Sequence, residues 1–233
     1  SYAELHMDNS AIYNSVAEHD GGGLYSRGKT TLGDTTVFGN TAGRDGGGLY
    51  FASGEAYFSG SGSSFNSAGR NGGGAYLRDG VTICSECGGT GEILNYSFNG
   101  NTAAQDGGGL YNNIDNVTFT NFGFFYNYAD VGAGIYNAGD TVTFRYMTTT
   151  NNVAAVRGGA IRNTGSDFTV RTSIFAGNAA PEDPGIHGTA TVDYTLCWDS
   201  GCSGPLAPGS NHNMEADPKF DLGGGLTYAS PAI

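Results

Sequence analysis

One short pattern returns along almost the whole chain and constrains the fold more than any other feature. It reads Gly-Gly-Gly-Leu-Tyr at Gly21–Tyr25, Gly46–Tyr50 and Gly107–Tyr111, with variants at Gly72–Tyr76, Gly132–Tyr136 and Gly158–Arg162 and a worn copy at Pro184–His187. Aligning Leu24, Leu49, Ala75, Leu110, Ile135, Ile161 and Ile186 gives steps of 25, 26, 35, 25, 26 and 25 residues. A second landmark runs in phase with the first: Asn14, Asn40, Asn66, Asn101, Asn127, Asn152 and Asn178. An alanine follows two residues later in every copy except that of Asn14, where the interval is three. A phenylalanine often precedes the asparagine, as at Phe38, Phe65, Phe98, Phe125 and Phe175.

A unit of about 25 residues is too small to fold alone and must stack on its neighbours. No unit holds a run of helix formers with a 3.6-residue period. Each instead carries short alternating runs, such as Val117-Thr118-Phe119-Thr120 and Val142-Thr143-Phe144-Arg145, punctuated by Gly, Asn and Asp. The spacing predicts an all-β chain, a right-handed parallel β-helix (β-solenoid) of about eight coils of 25–26 residues, the hand following strand twist and precedent. At ~4.8 Å per coil the rod is roughly 40 Å long. Residues 1–210 are assigned to the helix, with a loop inserted at 82–92, and residues 211–233 to a closing segment of the same domain. The aliphatic landmark is the expected core column. The asparagines are placed in a bend, each amide bonding the one above it and the neighbouring backbone.

Composition removes several alternatives. The 41 glycines do not fall every third residue and only six prolines are present, which excludes collagen. Thirteen Phe and 14 Tyr are too many for a disordered chain. Acidic residues outnumber basic ones 22 to 10, and the net charge of −12 repels nucleic acid and anionic membranes. No apolar run is long enough to be a transmembrane helix. Scarce lysine (Lys29 and Lys219), abundant small polar residues and four cysteines point to an extracellular or cell-surface location.

Gly158-Gly159-Ala160-Ile161, taken with Phe-x-x-Asn at Phe98–Asn101 and Phe175–Asn178, resembles the paired motifs of polymorphic outer-membrane proteins and related β-helix surface proteins. Asp217-Pro218-Lys219-Phe220 followed by Ser230-Pro231-Ala232-Ile233 resembles the ending of many secreted β-helix proteins. The resemblance implies the β-helix fold, and functions that range over adhesins, autotransporter passengers and carbohydrate-active enzymes.

Four sets of residues are candidates for chemistry or binding. Cys84 and Cys87 fall in the inserted loop, Cys197 and Cys202 near the C-terminal end. The two pairs are too many coils apart for one zinc site, so local disulfides are favoured, with free thiols and metal or redox chemistry as the alternatives. Asp20, Asp45, Asp106 and, one residue out of phase, Asp130 precede the glycines in a column that also contains Asn71. Stacked carboxylates could hold calcium, the only cofactor the sequence suggests. Against it stands an acidic bend that caps its own backbone, with Arg44 and Arg70 beside it. His6, His19, His187 and His212 are out of phase with one another, although His6 and His19 fall close enough in sequence to meet on the first coils.

Tyr25, Tyr50, Tyr76, Tyr111 and Tyr136 share one repeat position next to the core column and are expected to point outwards. Such a stripe is either a ladder that stabilises the sheet or a binding face for protein or glycan. Asn95-Tyr96-Ser97 and Asn116-Val117-Thr118 are glycosylation acceptor patterns.

The reading that fits best is a non-enzymatic structural or adhesive surface protein, part of a larger assembly, whose partners are protein subunits or glycans. A glycan- or calcium-binding module and a polysaccharide lyase or glycoside hydrolase are the alternatives. The chain starts in strand-like sequence at Tyr2–His6, which makes the N-terminal end the expected docking end.

Overall fold

The computed structural model describes residues 4–83, 92–199, 201–221, 225–226 and 230–231. The chain winds into an all-β, right-handed parallel β-solenoid of about seven turns. Leu24, Leu49, Ala75, Leu110, Ile135, Ile161 and Ile186 pair in one continuous parallel register. That ladder has seven strands, whereas the ladder on the next long face continues into Leu196–Trp198 and Met214–Glu215. The larger sequence count of about eight coils reflects these closing strands, which pair without completing a coil.

A lower coil shows the plan. Strand Leu49–Phe51 is followed by Gly54–Ser59, then Gly62–Ser64, then Ser67–Ala68, and the chain returns through Gly72-Gly73-Gly74 to begin the next coil. Higher up, the second and third strands fuse into Glu92–Asn99 and Val117–Phe125, bent where Asn95 and Asn121 take positive φ. The 35-residue step costs the ladder nothing, since Ala75 still pairs with Leu110. The extra residues fall in sequence between Val81–Ile83 and Glu92–Asn99, and Cys84 and Cys87 lie outside the described residues.

The return turn explains the glycine triplet. Gly46 has φ +67°, a left-handed conformation that glycine adopts without a Cβ clash. Gly47 packs backbone to backbone, and a Cβ there would stand 2.4 Å from the Ser67 carbonyl oxygen. The alanines beyond the asparagine turn, Ala103, Ala129 and Ala154, fill the same narrow corner with Ala133.

The interior is mainly apolar, with polar side chains buried at the bends. Leu49, Ala75, Leu110, Ile135 and Ile161 are fully buried, while Leu24 on the first coil is only partly so. Phe98 stacks on Phe124 at 5.2 Å and Phe119 on Phe144 at 4.6 Å, with Phe122 wedged among all four. Strand alternation decides which aromatics enter: Phe98, Phe124 and Phe175, three residues before an asparagine, point in. Phe38 and Phe65, one or two residues before it, point out. At the C-terminal end a disulfide joins Cys197 to Cys202, and the short 3-10 helix Gly204–Leu206 seats Leu206 in the core.

Candidate binding faces

Inside the bend after the Gly62–Ser64 face, asparagine side chains form a continuous hydrogen-bonded ladder. Asn101 Nδ2 donates to Asn127 Oδ1 at 3.0 Å and to the Ser63 carbonyl at 2.9 Å. Its Oδ1 accepts from both the backbone N–H and the Nδ2 of Asn66 at 3.0 Å. The same pattern links Asn40, Asn66, Asn127, Asn152 and Asn178, all essentially buried. Asn14 is not a rung. Ser15 occupies that position and donates its N–H to Asn40 Oδ1, while Asn14 is exposed at φ +51° in the preceding corner. The three-residue interval to Ala17 already carried that one-residue offset.

A second ladder, not foreseen from the sequence, runs through Asn112, Asn137 and Asn163, two residues beyond the core aliphatic. Each Nδ2 also donates to the carbonyl two residues on. The ladder begins at Asn112 because Leu77 lies below it in register and has no donor, which leaves Asn112 Oδ1 buried without a partner. The recurring Tyr-Asn, Tyr-Asn, Arg-Asn after the aliphatic was the available signal.

The tyrosine position forms a stack. Ring centroids from Tyr25 through Tyr50, Tyr76 and Tyr111 to Tyr136 are 5.2, 5.0, 4.5 and 4.9 Å apart, with planes within 18°. Arg162 and His187 continue the register above it. The rings lie opposite the core side of their strands, but they do not make an open patch: Tyr50 is 7 % exposed and only Tyr25, at 38 %, is well exposed. Stacked rings hide one another's faces. Burial raises the Tyr50 and Tyr76 hydroxyl pKa values and pushes that of Tyr111 up to about 12, with the neighbouring tyrosine adding to the last two.

The acidic column is tied to the chain itself. Asp20 receives Arg44 at 2.9 Å and Asp45 receives Arg70. Asp45 Oδ1 accepts from the backbone and side chain of Asn71, and Asn71 Oδ1 accepts the Asp106 N–H. These side chains cap the backbone of the next coil rather than their own. Asp106 has its pKa raised, first by burial and then by Asp130. Asp130 lies one residue off the column, since Asp106 faces Val131 across the coils. Among the described residues no group of three or more His, Cys, Asp or Glu is arranged to hold a metal ion.

The histidines are separate. His6 pairs with the strand at Thr31, His19 lies in the bend beside Arg44, and His187 and His212 contact Asp183 and Asp193. Lys29 and Lys219 are each paired with a carboxylate, Glu55 and Asp217. Asn95 and Asn116, the glycosylation acceptor candidates, are both exposed corner residues. No helix among the described residues is long and apolar enough to cross a membrane.

These faces define the molecule as a parallel β-solenoid whose side-chain ladders run from coil to coil. Comparison with known proteins finds no match among family models, curated proteins or solved structures.

Proposed function

We propose that this chain is a non-enzymatic structural and adhesive rod, secreted or displayed at a cell surface as part of a larger assembly. One observation carries the reading: the repeated polar and aromatic side chains engage the next coil of the same chain. The asparagine ladder, the tyrosine stack and the Arg44–Asp20 and Arg70–Asp45 pairs all run along the rod axis. A polysaccharide lyase wants a basic side chain converging with its partners on one substrate atom, and the histidines and lysines are instead dispersed along the rod. The Cys197–Cys202 disulfide supports an oxidising, extracytoplasmic setting.

The net charge of −12 makes like subunits repel, so association is favoured by salt, divalent cations or a more basic partner. The test is light scattering across salt and calcium concentrations with the native chain and a Tyr50→Ser/Tyr76→Ser/Tyr111→Ser variant, beside assays for new polysaccharide ends. Salt-promoted assembly weakened in the variant, without cleavage, is expected. A chain that remains monomeric at high concentration, or one that cuts polysaccharide, sinks the proposal.

A further inference from the structure

A second face carries chemistry that the ladders leave over. Ser64, Asn99, Phe125, Thr150, Ala176 and Trp198 are successive register partners on the outer side of one sheet, forming a column along the rod axis. At ~4.8 Å per coil it runs about 24 Å. The closing segment stands beside it, with Asp217, Pro218, Phe220 and Asp221 making the opposite wall of a groove of about 760 Å³.

The floor carries two aromatic side chains, Phe125 and Trp198, among polar and small ones. The Phe125 ring occupies the space beside Gly123, where a Cβ would come within 2.3 Å of it. Trp198 is 42 % exposed. Asn99, Asn151 and Asp199 line the same groove and make no side-chain hydrogen bond to other described residues, unlike the ladder asparagines. Among the described residues no basic side chain lines the groove, and the Lys219 ammonium is paired with the Asp217 carboxylate at 2.7 Å.

We propose that this groove is a saccharide site for a linear, uncharged oligosaccharide lying along the rod axis. A sugar ring has an apolar C–H face and a hydroxyl rim. The first suits Phe125 and Trp198, and the second suits the unengaged amides and the Asp199 carboxylate. The surplus of carboxylates repels uronate polymers, nucleic acid and other polyanions. The site is separate from the tyrosine column and does not depend on whether that column meets a partner.

Trp198 is the chain's single tryptophan, so its emission reports the groove alone. The purified full chain is titrated with cellohexaose, laminarihexaose, mannohexaose and hexagalacturonate, followed by fluorescence and calorimetry. At least one neutral hexaose should give saturable binding. Asn99→Ala, which removes no structural bond, should weaken it by about tenfold or more, and Trp198→Ala should abolish its heat. Trp198→Phe, which retains a platform, covers the case in which the alanine variant fails to fold and should retain weakened binding. Absence of saturable binding by every neutral hexaose overturns the proposal. So does equal binding of hexagalacturonate, or undiminished binding in Asn99→Ala.

Discussion

Asn101 shows what one residue does in this fold. Its side chain satisfies the Ser63 carbonyl, the Asn127 Oδ1 and two donors of Asn66, all buried. Asn101→Ala leaves those groups without water or partner, and a loss of about 3 kcal/mol is expected in equilibrium denaturation. Asn14→Gly is the control. Asn14 is exposed at φ +51°, which glycine adopts freely, so its stability should change by less than about 0.5 kcal/mol. Equal losses at the two positions would show that the ladder adds nothing beyond filling the corner.

At the scale of the elements, the tyrosine stack predicts how the sheet responds to alkali. The Tyr111 pKa is raised, by burial first and by Tyr136 next, to about 12. The neutral ring is therefore the form the folded state favours. Its stabilisation is whole below about pH 10, where an unfolded tyrosine titrates, and is lost as pH rises through about 12. Tyrosinate absorbance should show Tyr50, Tyr76 and Tyr111 ionising late, as strand structure melts. Ionisation of Tyr111 near pH 10 with the coils intact would contradict it. The acidic column carries a separate expectation. Because Asp20 and Asp45 already receive arginines, calcium should stabilise the rod only weakly and without saturation. Tight saturable binding in calorimetry, lost in Asp45→Asn, would show a built site.

For the whole molecule, a solenoid couples each coil mainly to its neighbours, so damage at one end need not travel. The Cys197–Cys202 bond closes a short loop that leads into Leu206, the apolar residue seated at the C-terminal end of the core. Cys202→Ser is expected to cost about 2 kcal/mol by freeing that loop. Hydrogen exchange should quicken at residues 191–215 and stay unchanged around Leu110 and Ile135. Uniform loosening of every coil would mean that the rod unfolds as one unit.

The sequence by itself determined the repeat, the parallel winding and the inward aliphatic column. Each rests on local rules: a period of about 25 residues, strand alternation, and glycine where the return turn permits little else. It also located the asparagine bend, although Asn14 showed that a landmark can slip one residue when its spacing to the alanine changes. Only the tertiary structure decided what the columns do. Whether Tyr50 is open or covered depends on the rings one coil above and below, 25 and 26 residues away. Asn112, Asn137 and Asn163 look like loop residues until register places them one above another. The groove arises where Asn99, Phe125 and Trp198, each from a different coil, meet a closing segment that returns beside them. Stacking converts sequence separation into contact, and no local propensity records which side chains will share a face.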